Sequence, residues 1–206
     1  MATHGQIGNP NNLSDQKAPS VLNFEELAHG QANNYLPGRQ GKFFIYGTEF
    51  SSTSSVNIQT GFEQASIIEV EFIVMKPATD GAGLMVQFYE AGTIEDAGVY
   101  DNARYYQDSS NNAGFVNDSA NADIPLGEIG SGTGEAYCGT LTICHANNSA
   151  TQTSYYARGV GINADPEVMS YEVGGELPQA SVVDGIKVFF STGNIASGKI
   201  KMYGYA

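Results

Sequence analysis

The stretch VVDGIKVFFSTGNIASGKIKMYGYA, Val182–Ala206, decides the fold. In its first half Ile186, Val188 and Phe190 alternate with Gly185, Lys187 and Phe189; in its second, Ile200 and Met202 alternate with Lys199, Lys201 and Tyr203. A period of two sends successive side chains to opposite faces, so each run reads as a strand with one buried face. Between them lies STGNIASG, where Gly193-Asn194 and Ser197-Gly198 supply turn chemistry. The expectation is an antiparallel hairpin closed by a loop longer than two residues.

The same signal recurs upstream. Lys42–Tyr46 and Ser55–Ile58 read as two strands joined through GTEFSSTS. In Ser66–Lys76, Ile68, Val70, Phe72 and Val74 share one face while Glu69 and Glu71 take the other, the pattern of a strand between core and water. Leu84, Val86 and Phe88 repeat it. Further strands follow at Tyr137–Cys144, Thr153–Val160 and Val168–Val173, giving about eight or nine with no long helix between them. No fixed repeat is visible, which argues against a propeller or solenoid. The expected fold is all-β, an antiparallel β-sandwich or jelly roll over residues 41–206.

Residues 1–40 differ in composition, with Asn, Gly, Gln, Ser and Pro dominant and apolar residues isolated. They read as an extended arm, either an anchor or a frayed end. A short helix is expected over Val21–His29, with Asn23 as its N-cap, Glu26 three residues on and Gly30 past its end. So short a helix needs a surface to order against. The arm's candidate contacts are Leu13, Val21, Leu22, Phe24, Leu27, Tyr35 and Leu36.

Residues 91–135 scatter short apolar pieces among Gly, Asn, Asp and Ser. They read as a long recognition loop carrying one strand near Val99–Tyr106. Tyrosine among Asn, Ser and Gly makes an adaptable contact surface. Tyr100, Arg104, Tyr105, Tyr106 and Phe115 are the candidate contacts, the alternative being that they cover a sheet face.

Charge narrows the partners. Against 22 acidic residues stand 9 basic ones, a net charge of −13. That balance argues against nucleic acid, whose phosphates call for Lys and Arg. It fits solubility and mutual repulsion in a crowded assembly, with a basic partner or divalent cations as the sharper alternative. No run nears the roughly 20 apolar residues of a membrane span, and no apolar block near the start resembles a secretory signal. A protein made in the cytosol, with no membrane insertion, is the expectation. Cys138 and Cys144, on one face of one strand, would sit ~20 Å apart and stay unpaired. A hairpin through Gly139-Thr140 is the alternative, but Gly-Thr is a poor two-residue turn.

Few residues carry recognisable chemistry. His4, His29 and His145 have no metal-ligand spacing, and two cysteines make a structural zinc site improbable. GSGTG at 130–134 has its serine misplaced for a nucleophile elbow. Gly159-Val160-Gly161-Ile162-Asn163-Ala164 resembles a nucleotide-binding turn but runs into Asp165-Pro166 rather than a helix. Asp101, Asp108, Asp118 and Asp123 allow Ca²⁺, although their spacing is not that of an EF-hand. A glycosidase would need two carboxylates across a cleft, and the chain has no Trp for stacking on sugars, where Tyr must substitute. The reading therefore assigns no catalytic residue, no cofactor and no metal ligand.

One resemblance adds to this. The closing run Gly198-Lys199-Ile200-Lys201-Met202-Tyr203-Gly204 is similar to the end of many small virion proteins of tailed bacteriophages, with Tyr205 where an aliphatic residue is usual. Leu13-Ser14-Asp15-Gln16-Lys17-Ala18 resembles a short run in some of them. The resemblance implies a non-enzymatic virion protein made in the bacterial host. Its first form is a capsid decoration, cement or head-fibre protein held by its arm to the major capsid protein or to tail proteins. The alternative is a tail-fibre or receptor-binding head that recognises a host glycan or protein. It also implies a homo-trimer.

Overall fold

A computed structural model describes residues 41–205, so the arm, its short helix and the contacts Leu13, Val21, Leu22, Phe24, Leu27, Tyr35 and Leu36 lie outside the described residues. Among the described residues thirteen strands build two antiparallel sheets that form an all-β sandwich. The larger sheet has eight strands. In spatial order they are β1 (Lys42–Thr53), β13 (Ile195–Tyr205), β3 (Ile67–Pro77), β9 (Tyr137–Cys144), β10 (Thr153–Ile162), β11 (Val168–Leu177), β6 (Tyr100–Asp108) and β7 (Ala113–Asn121). The smaller sheet runs β2 (Ser55–Ile58), β12 (Val183–Phe190), β4 (Ala82–Glu90) and β5 (Thr93–Ile94), with β8 (Ile124–Ile129) also paired to β4. The count exceeds eight or nine because β5, β7 and β8 lie where a loop was expected.

The C-terminal pair is not a hairpin. β12 pairs with β2 and β4 in the small sheet, whereas β13 pairs with β1 and β3 in the large one. The link between them is an arch over the end of the sandwich. Its backbone groups are met from the β3–β4 turn and the start of β4: Ala78 N–H donates to Asn194 C=O at 2.8 Å, and Ser191 N–H to Gly83 C=O at 2.8 Å. An arch satisfies the same alternation as a hairpin, because Ile186 and Val188 meet Ile200 and Met202 from opposite sheets and all four are fully buried. Ser197-Gly198 lies inside β13 at irregular pairing rather than in a turn. The Lys42–Ile58 region repeats the device: β1 runs unbroken through most of GTEFSSTS to Thr53, and the chain then crosses to β2 in the other sheet.

Val74 is a second correction. Ile68, Val70 and Phe72 are buried as expected, but Val74 has φ 52° and is 54% exposed, and Met75 takes the inward place. The pairing of β3 with β9 slips between Phe72 and Met75, and one extra residue reverses the facing of those beyond it. The third correction concerns residues 91–135. β6 is the strand expected near Val99–Tyr106, but β7 and β8 lie there as well, and β6–β7 forms a two-stranded ribbon at the edge of the large sheet.

The core is locked across the sheets by aromatic rings. Phe88 of β4 meets Tyr100 of β6 and Tyr155 of β10 edge-on, each at 5.7 Å between centroids. Such pairs add about 0.5–1.5 kcal/mol each beyond burial. The ring of Tyr137 lies over Gly139 and Gly159, which face each other on β9 and β10; any side chain at either would collide with it. This packing accounts for Gly159 in the apparent nucleotide-binding run, which is strand.

Candidate recognition site on the overhanging ribbon

The large sheet is wider than the small one. β8 is the last strand beside β4, so the inner face of β6–β7 extends past the cover the small sheet provides. None of the nine residues of β7 is buried. The ribbon thus presents two usable faces.

The predicted contacts divide between these faces and the core. Tyr100 is fully buried and is corrected from contact to core residue. Its hydroxyl accepts the Phe88 N–H at 2.8 Å and donates to the Glu95 carbonyl at 2.9 Å, tying the start of β6 to β4 and to the residue that follows β5. Burial pushes its phenol well above the ordinary value. On the outer face Tyr105 and Phe115 sit opposite each other with ring centroids 4.9 Å apart, and Phe115 is 80% exposed. On the inner side Arg104 pairs with Asp118 at 2.6 Å, while its Nε is enclosed without a partner. Tyr106 lies across Gly114, where a side chain would strike its ring.

Arg104 and Tyr106 line a cleft of about 400 Å³ between the ribbon and β8. Met169, Tyr171 and Val173 of β11, Pro125–Glu128 of β8, Gly83 and Met85 of β4, Gly81 and Ser191 also line it, and Tyr105 contributes from the ribbon although its ring pairs with Phe115. Tyr171 fixes the β8 wall: its hydroxyl donates to the Glu128 carbonyl at 2.8 Å and accepts the Glu128 N–H at 3.2 Å. Gly127 lets the backbone rest on that ring, since a Cβ there would come within 2.8 Å of it. Burial pushes the Tyr171 phenol up to about 12, so it acts as a neutral clamp at physiological pH. Among the lining residues only Glu128 carries a carboxylate, where glycoside hydrolysis calls for two.

The four Ca²⁺ candidates are not gathered. Asp108 closes its own turn, accepting from Ser110 N–H, Asn112 N–H and Asn112 Nδ2. Asp118 belongs to Arg104, and Asp101 accepts the Ala120 N–H at 3.2 Å. Burial raises the Asp123 carboxyl, with Arg104 and Lys187 opposing the shift. Among the described residues no three His, Cys, Asp or Glu side chains are placed to hold a metal. The GSGTG segment is a loop held by Glu135, which accepts the Gly132 N–H, and by Asp80, which accepts the Ser131 N–H. Cys138 and Cys144 are free and lie on one strand.

A second surface escaped the sequence reading. Among the described residues eight large apolar side chains are exposed, and seven belong to the outer side of the large sheet: Phe44, Ile67, Val74, Phe115, Tyr156, Val160 and Val168. Cross-strand pairing runs in one row from Lys201 through Glu71, Thr140, Arg158, Glu172 and Tyr105 to Phe115. No described element packs on this face. The signal available in the sequence was β10, where Tyr156 and Val160 alternate with the buried Tyr155 and Ala157, leaving apolar residues on both faces.

Residues 41–205 therefore form an antiparallel β-sandwich whose larger sheet carries an outer face of mixed apolar and charged residues and an overhanging, cleft-forming edge. No protein-family model matches the chain, and comparison with curated proteins and solved structures gives no match.

Proposed function

We propose that this is a non-enzymatic virion structural protein of a tailed bacteriophage, a capsid decoration or head-fibre protein anchored by residues 1–40. The observation that supports the reading is that, among the described residues, seven of the eight exposed large apolar side chains lie on the outer side of the large sheet, interspersed with Lys201, Glu71, Arg158 and Glu172. A face of mixed apolar and charged residues that no described element covers suits contact with neighbouring subunits, whose interfaces are about as apolar as the rest of a protein surface. The family resemblance supplies the setting, and the net charge of −13 suits a densely populated shell. The assembly is a homo-trimer, in which neighbouring copies or the shell cover this face.

Two experiments test the reading. Light scattering of the full chain at micromolar concentration is expected to give a trimer, and Tyr156→Glu with Val160→Glu to give a monomer that still folds. Assembled capsids are expected to retain the full chain, and to lose it when residues 1–40 are removed. A monomeric wild type that binds neither capsids nor tails would overturn the proposal.

A second reading has one observation in its favour: the Tyr105–Phe115 pair stands open to solvent on the ribbon. In that reading the protein is a receptor-binding head of a tail fibre. Loss of cell attachment on Phe115→Ala, with the fold intact, is its expected signature.

A further inference from the structure

The cleft under the ribbon has the size, rigidity and mixed lining of a small-ligand site, and its chemistry selects among ligands. Its volume of about 400 Å³ lies in the range usual for such sites, roughly 300–1,000 Å³. Its wall is fixed in advance, because the Tyr171 hydroxyl brackets both the N–H and the C=O of Glu128. Pre-fixed walls reduce the ordering cost of binding.

The polar groups at the cleft are of opposite kinds. The Arg104 guanidinium offers only donors and the Glu128 carboxylate only acceptors. Ser191 Oγ already accepts the Gly83 N–H at 2.9 Å, which leaves its own proton to donate. Beside them lie the apolar surfaces of Tyr106, Met85 and Pro125. A pyranose ring has the matching character, with a C–H face that rests on an aromatic ring and a rim of hydroxyls that both donate and accept.

Charge separates the kinds of saccharide. Asp118 neutralises Arg104 at 2.6 Å, which leaves Glu128 as the uncompensated charge of the lining, on a chain of net charge −13. A carboxylated, sulfated or phosphorylated sugar would be repelled both locally and at long range. We infer that the cleft between β8 and the β6–β7 ribbon binds a neutral saccharide, a hexose or N-acetylhexosamine unit of a larger glycan. This deepens the receptor-binding reading and does not depend on where in a virion the protein sits.

The test uses the full-length protein and a panel of neutral glycans (hexose and N-acetylhexosamine oligomers) beside sialylated and sulfated counterparts, read by calorimetry and by amide chemical shifts. Neutral members are expected to bind, shifting the amides of residues 125–128 and 104–106. Glu128→Gln, nearly isosteric, and Tyr106→Ala are each expected to weaken binding at least tenfold, while Phe115→Ala on the opposite face changes it less than twofold. Thermal melts of each variant show whether Tyr106→Ala has disturbed the ribbon, and Glu128→Gln carries the test if it has. Absence of binding to every neutral glycan, preference for the acidic ones, or indifference to Glu128→Gln would each overturn the inference. Cell attachment that survives Glu128→Gln but fails with Phe115→Ala would leave the receptor-binding reading standing and remove this one.

Discussion

Replacing Tyr100 by Phe is the most informative single change, because it separates a core residue from a contact residue with one atom. The ring is fully buried against Phe88, and the substitution keeps it. What is lost is the hydroxyl that sits between the Phe88 N–H, at 2.8 Å, and the Glu95 carbonyl, at 2.9 Å. Neither group gains a substitute in the space left by one oxygen, and the Phe88 N–H belongs to a fully buried residue. Leaving a buried donor unsatisfied costs about 1–3 kcal/mol. The expected loss of stability is therefore about 2 kcal/mol, which for a domain of this size lowers the melting temperature by roughly 4–8 °C. Urea unfolding followed by circular dichroism measures it, with an unchanged slope expected beside a lowered midpoint. Tyr105→Phe is the control, since that hydroxyl bonds only to the exposed Gln107 side chain at 3.1 Å. Its effect is expected to stay within about 0.5 kcal/mol. Equal midpoints for the wild type and Tyr100→Phe would refute the claim that this residue holds the two sheets together.

Three further outcomes are expected. Burial raises the Asp123 carboxyl above its ordinary value of 3.8, so its ionised form opposes folding above the folded-state pKa and that penalty vanishes below 3.8. Asp123→Asn should thus be more stable than wild type at pH 7, with the gap closing as pH falls toward 4; a gap that stays constant in paired urea titrations would contradict the assignment. Both cysteines should titrate as free thiols without reduction, the exposed Cys138 first and Cys144 slower because burial raises its thiol; a missing thiol would contradict the placement of both on β9. Gly127→Ala should destabilise by about 1–3 kcal/mol by forcing a Cβ to 2.8 Å from a clamped Tyr171 ring; a neutral effect in thermal melts would mean that β8 is not held as described.

The reach of the sequence is clearest where it failed. At Val74 the alternation was real, but a bulge against β9 shifted it by one residue, and nothing local marks where a partner strand will demand an extra residue. Residues 91–135 were taken for loop because Asn, Asp, Gly and Ser are poor strand formers. β7 and β8 are strands all the same, for β7 is hydrogen-bonded to β6, the one strand expected there, and β8 to β4. Tyr100 and Tyr105 look alike in sequence, and their spacing cannot tell which faces Phe88 and which faces water.

The sequence by itself determined that these segments are strands and which residues of β3, β4, β12 and β13 point inward, apart from the slip at Val74. Facing follows from the two-residue period of an extended backbone, a local property. Only the tertiary structure decided which sheet each strand joins. Ile200 stands opposite Thr48 on one side and Phe72 on the other, partners far away in the chain, while its neighbour in sequence, β12, goes to the opposite sheet. The same unequal sharing of strands, eight against the smaller sheet, leaves the ribbon overhanging and opens the cleft beneath it. Pairing is a choice among distant backbone edges, settled by which arrangement buries all the inward faces together, and no window of sequence contains that choice.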